Sequence, residues 1–114
     1  MKSYTDIEQS KVLAEILPLE SADYHYIAQG EKSYFYPYFL SSDAVKDYDE
    51  EIKYIPCWSL GALISLLPKR YCLETLDNGT YVCYNFLSQY EKFGKTPIDA
   101  VYSMIVFLKE EKII

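Results

Sequence analysis

Five prolines punctuate this chain, at Pro18, Pro37, Pro56, Pro68 and Pro97, and they limit where regular structure can run. Proline fixes φ and lacks an N–H. It therefore stops a helix that precedes it, opens one at the first position, or confines a strand to a sheet edge.

The first helix is expected to open at Thr5-Asp6-Ile7-Glu8, a capping-box pattern in which Thr5 caps the backbone and Glu8 reaches back. Ile7, Leu13, Ile16 and Leu17 fall near one face, and Pro18 ends the run. Residues 23–40 read as a hairpin. Residues 24–28 are strand formers, Gln29-Gly30-Glu31 supplies the turn, and an aromatic run follows from Tyr34 to Leu40. Pro37 makes that second strand an edge strand or breaks it.

Residues 41–51 are polar and acidic and read as a loop or a surface helical turn. Residues 56–68, bracketed by prolines, read as a second helix that is apolar nearly all round and so buried on most sides. Residues 71–76 and 80–86 form the clearest hairpin. Asn78-Gly79 is the favoured pair for a two-residue type I′ turn. That register sets Glu74 opposite Cys83 and Cys72 opposite Asn85, with the two cysteines diagonal on one face. The last helix opens at Thr96-Pro97-Ile98-Asp99, with Thr96 as cap, Pro97 at the tolerated first position and Asp99 at the positive end of the helix.

The expected class is α+β in the order α-ββ-α-ββ-α, antiparallel hairpins packed against three helices, as a single domain over residues 1–114. Leu13, Leu17 and Pro18 recur as Leu63, Leu67 and Pro68. Phe39-Leu40-Ser41 recurs as Phe86-Leu87-Ser88. An αββ duplication is one reading of this echo, and coincidence among common residues is the other.

Composition then narrows the function classes. Half the residues are hydrophobic and a quarter are charged, which suits a globular core in 114 residues. The net charge is −6, and the eleven basic residues form no cluster. Nucleic acid and anionic membrane are disfavoured as partners, because neutralising phosphates takes a basic face. No apolar run reaches a membrane span, and the first residues lack the apolar core of a signal peptide, so a cytoplasmic location is expected. Three cysteines, an odd count, fit reduced thiols there. Asn78-Gly79-Thr80 matches a glycosylation sequon, but is more simply a turn.

No catalytic, cofactor or metal site emerges. Cys72 and Cys83 lack two further ligands for zinc, and the single histidine is His25. Cys57 with His25 would be a nucleophile and base only if the fold brought them together, and a packed thiol beside Trp58 is the simpler reading. The acidic run at residues 47–51 lacks the glycine and terminal glutamate of a calcium loop. Gly94-Lys95-Thr96 resembles the tail of a phosphate loop, without the upstream glycine.

Thirteen tyrosines remain to be explained. They suit a small core whose hydroxyls reach water, and equally an interface. Two apolar helices and so many rings favour self-association, commonly a two-fold dimer. Trp58, Leu60, Ile64, Tyr34, Tyr36 and Tyr38 are the candidate interface residues. The alternatives are a small enzyme or ligand binder with a tyrosine-lined pocket using His25 or Cys57, and an acidic decoy for a nucleic-acid enzyme.

Three segments also carry a resemblance. Residues 5–18, the stretch Pro56-Cys57-Trp58-Ser59-Leu60, and Thr96-Pro97-Ile98-Asp99-Ala100 through the end resemble a group of small uncharacterised proteins of Bacteroides-type bacteria and their prophages or mobile elements. The resemblance implies a bacterial or phage cytoplasmic setting and brings no catalytic residue with it.

Overall fold

The computed structural model describes residues 2–29, 37–45 and 52–114. The class is mixed α+β, and the described residues form two three-stranded antiparallel sheets with their helices. The chain divides into two units, Tyr4–Ala62 and Leu63–Ile114, the latter joined by Met1–Ser3.

In the Tyr4–Ala62 unit, helix α1 runs Ile7–Ile16. Its cap is Asp6, whose carboxylate accepts from Gln9 N at 2.8 Å while Gln9 Oε1 accepts from Asp6 N at 3.1 Å. The capping box thus sits one residue later than expected, with Gln9 in place of Glu8. Thr5 is drawn away because its hydroxyl is buried and engaged elsewhere. Leu17 turns extended ahead of Pro18, and the helix stops there.

A 3₁₀ turn at Leu19–Ser21 leads into strand β1, Tyr24–Gln29. Strand β2 is only Pro37–Tyr38, and helix α2 spans Ser42–Val45. Strand β3 is Ile52–Cys57. The order is β2-β1-β3, so both proline-bearing strands are edges, where a missing N–H costs no ladder bond. The turn proposed at residues 29–31, the aromatic residues 34–36 and the acidic run 47–51 fall wholly or mainly outside the described residues.

The second expected helix requires correction. Residues 52–57 are strand, paired with β1 as Tyr24↔Cys57 through Gln29↔Ile52. Helix α3 covers only Leu60–Ser65. Ser59 opens it, its Oγ accepting from Ala62 N at 3.2 Å while Asp23 takes both Ser59 N and Oγ. Nor is this helix buried all round. Leu63 is buried, but Ile64 is 44% exposed.

In the other unit, β4 (Tyr71–Thr75), β5 (Tyr81–Asn85) and β6 (Glu91–Gly94) form a meander in the order β4-β5-β6. The β4–β5 turn is not type I′. Only Gly79 takes a positive φ, +83°. Gly79 N donates to Leu76 O and Leu76 N to Thr80 O, a three-residue loop with the glycine in the left-handed position. The register shifts by one, giving Leu73↔Cys83 and Cys72↔Tyr84. Alternate strand residues face opposite ways, so Cys72 and Cys83 lie on opposite faces of the sheet, not diagonal on one.

Helix α4, Pro97–Glu110, begins as its sequence demands. Thr96 Oγ1 accepts from Asp99 N at 3.1 Å, with Pro97 in the first turn. Lys2 Nζ meets Asp99 Oδ1 at 2.8 Å. Ile98, Ala100, Val101, Met104, Ile105 and Leu108 are fully buried, forming the helix side of this unit's core. Gly94 lets β6 approach the helix. A Cβ there would stand 2.4 Å from Ala100 N.

Candidate interaction surface

The residues singled out for chemistry are kept apart. Cys57 pairs with Tyr24 and His25 with Pro56, so thiol and imidazole occupy opposite faces of the β1–β3 ladder. Cys57 also ends a strand and does not open a helix. It is buried against Thr5, with Sγ 3.4 Å from Thr5 O and 3.5 Å from Thr5 Oγ1. Burial pushes its thiol above the ordinary value. Buried, with a raised pKa and on the face opposite His25, this thiol packs against Thr5.

Thr5 organises that buried face. Its hydroxyl shares a 2.7 Å hydrogen bond with Ser10 Oγ and accepts from Trp58 N at 3.2 Å. Its carbonyl accepts from Tyr26 OH at 2.8 Å. Burial raises the Tyr26 phenol well beyond its usual range, so the hydroxyl stays a donor.

His25, on the other face, is fully buried. Nδ1 lies 2.7 Å from Leu40 O, and a carbonyl can only accept, so the ring proton is on Nδ1. Among the described residues, the lone pair of Nε2 has no hydrogen-bond partner. Tyr54 meets the ring edge-on, centroids 5.7 Å apart. Burial lowers the pKa of the imidazole, with the Leu40 bond opposing in part. Among the described residues, no group of three or more His, Cys, Asp or Glu side chains could hold a metal ion.

The expected interface residues differ in exposure. Trp58 is fully buried and its indole N–H donates to Ser21 Oγ at 2.9 Å, so it offers no ring to a partner in this fold. Leu60 is half-buried at the start of α3. Ile64 is exposed, and Tyr38 is 55% exposed on edge strand β2. Tyr34 and Tyr36 lie outside the described residues. Because Trp58 is internal, the four described residues do not form one exposed patch.

A different set of apolar side chains is exposed on the β5–β6 hairpin. Phe86 and Leu87 sit in its turn, and Tyr90 and Phe93 follow on or beside β6. Leu87 is 62% exposed and Phe93 55%. The turn is built, not slack. Asn85 Oδ1 accepts from Leu87 N at 2.8 Å and Ser88 N at 3.1 Å, Gln89 N returns to Asn85 O, and Asn85 N closes on Tyr90 O. Gln89 takes φ +64° to complete it. An ordered turn that holds two large apolar residues in water has forgone the burial each would gain by folding inward.

The sheet gives this hairpin two distinct sides. Tyr90 meets Phe107 of α4 edge-on at 5.0 Å, and Lys92 Nζ lies 4.5 Å from the centre of the Phe107 ring. A shallow cleft of ≈340 Å³ opens there, lined by Lys92, Tyr102, Ser103, Val106, Phe107 and Glu110. Phe93, paired with Val82, points to the opposite face, which it shares with Glu91, Tyr84, Cys72 and Glu74. On that face Tyr84 OH donates to Glu74 Oε1 at 2.5 Å, and the carboxylate pushes the phenol up to about 12.

Sequence reading missed this surface because Phe86 read as the last residue of a strand, with Leu87 just beyond it. The available signal was Asn85, a side chain suited to folding the backbone back two residues on. No family model, curated protein or solved structure matches this chain. Among the described residues, no helix is long and apolar enough to cross a membrane.

Proposed function

We propose that this chain is a non-enzymatic, self-associating interaction module, of bacterial or phage cytoplasmic setting, whose contact surface is the β5–β6 hairpin. The observation that carries the reading is the ordered exposure of Phe86, Leu87 and Phe93 on a turn pinned by Asn85. A hydrogen-bonded turn that presents apolar side chains to water leaves less backbone to order on binding. The separation of His25 from Cys57 removes the one nucleophile–base pair considered for catalysis, and so weighs toward binding. The setting rests on the resemblance of the three segments alone.

Sedimentation velocity on the wild type and on a Phe86→Ser/Leu87→Ser variant tests the proposal. The wild type should sediment faster as concentration rises, and the variant should stay slow with an unchanged circular dichroism spectrum. Equal sedimentation of the two at every concentration would remove the hairpin from the account.

A further inference from the structure

We infer that the partner of this surface is a second copy of the chain, joined edge to edge along β6 with Phe93 on the two-fold axis. The inference rests on the self-association reading and adds a register to it.

The backbone supplies the first part. Asn85 N bonds Tyr90 O, which fixes the alternation of the β5–β6 ladder. In an antiparallel pair, alternate residues exchange both bonds. Tyr90, Lys92 and Gly94 therefore bond inward to Asn85, Cys83 and Tyr81, following the observed register. Glu91 and Phe93 direct their N–H and C=O groups outward, away from β5. Among the described residues β6 is the last strand of its sheet, so these groups face an edge where a further strand can pair.

Charge chooses among the ways two such edges can pair. Centring the two-fold axis on Glu91 sets two carboxylates face to face. Centring it on Lys92 sets two ammonium groups opposite each other. Like charges directly opposite are destabilising. Centring it on Phe93 pairs the two exposed rings and, with the ladder carried one residue past the end of β6 at Gly94, brings Glu91 of each copy opposite Lys95 of the other. Glu91, Phe93 and Lys95 are all exposed. Of these three registers, only this one pairs Phe93 with its own copy and sets opposite charges, Glu91 and Lys95, together twice. The product is one continuous six-stranded antiparallel sheet across the dimer.

The test is a charge-swap series, Glu91→Lys, Lys95→Glu and the double variant, followed by sedimentation equilibrium. Both substituted side chains are exposed, and thermal melts check that the fold is kept. Each single swap creates two like-charge pairs per dimer and should weaken association roughly tenfold or more. The double variant restores opposite charges and should recover the wild-type affinity. If singles and double all dimerise like the wild type, the β6 register is wrong while self-association stands. If the singles weaken and the double does not recover, the Phe93-centred pairing is overturned. If the wild type itself never dimerises, both the register and the reading beneath it fail.

Discussion

Thr5 and Trp58 are tied twice: Thr5 N donates to Trp58 O at 2.9 Å, and Trp58 N donates to Thr5 Oγ1 at 3.2 Å. Both residues are fully buried. The hydroxyl also holds Ser10, so one side chain joins the entry to α1 with the end of β3. Thr5→Val keeps the shape and leaves the Trp58 N–H and the Ser10 hydroxyl without that partner. The expected loss is about 2–3 kcal/mol of unfolding free energy, because buried donors are left unmet. Thr5→Ser, which keeps the hydroxyl, should lose only about 1 kcal/mol for the missing methyl. Urea titrations of both variants check this, and equal losses would mean that the hydroxyl network is not what matters.

Gly94→Ala should be costly for a reason separate from backbone freedom. The added methyl would meet Ala100 N at 2.4 Å and Asp99 C at 2.8 Å, and backbone cannot swing aside as a side chain can. About 2–3 kcal/mol of destabilisation is expected. Gly79→Ala meets no atom within 4 Å but must hold φ at +83°, which costs about 1–2 kcal/mol. Thermal melts that rank Gly79→Ala above Gly94→Ala in damage would contradict the close approach of β6 and α4.

How much of this was legible depended on whether the signal was local. Helix α4 was readable because Thr96, Pro97 and Asp99 act within one turn. The β4–β5 hairpin was readable too, but its register was not. Asn78-Gly79 fits a two-residue turn, yet Asn78 keeps a negative φ and the loop takes three residues. That single residue of slip reverses which cysteine faces which side. Strand β3 was hidden by Pro56, which reads as a helix bracket unless the strand is known to be an edge. Strand β6 has four residues, two of them charged, and its partner β5 is identified only once the Asn85 turn is seen. Trp58 looked like an interface residue by type. Only the fold shows it hydrogen-bonded to Ser21 and enclosed.

The cysteines give a kinetic prediction. Cys57 and Cys83 are fully buried, and burial raises both thiols, Cys83 to about 11. Cys72 is half-buried on the Phe93 face. An aromatic disulfide reagent at mild alkaline pH should modify one thiol per folded chain quickly and the other two only on unfolding. Rapid reaction of two or three thiols in the folded protein would contradict this burial.

The histidine gives a pH dependence. Burial depresses the His25 pKa below its unfolded value of 6.5, so the folded state holds fewer protons than the unfolded one just below that pH. Stability is then full above pH 6.5 and declines as pH falls toward the folded-state pKa, by up to about 1.4 kcal/mol per pH unit. His25 is the only histidine, so no other imidazole contributes to this limb. Chemical denaturation between pH 7 and 5 should show the decline, and His25→Phe should flatten it whatever its starting stability. A wild-type profile that is level across this range would place the imidazole in water.

The most direct test of the central claim, that the chain associates with itself, is the molar mass of the wild-type protein by light scattering over a hundredfold range of concentration. The account predicts a mass that climbs from 13.3 kDa toward twice that value as concentration rises. A mass fixed at 13.3 kDa throughout would contradict it, and attention would pass to the cleft between β6 and α4 as a site for a small ligand.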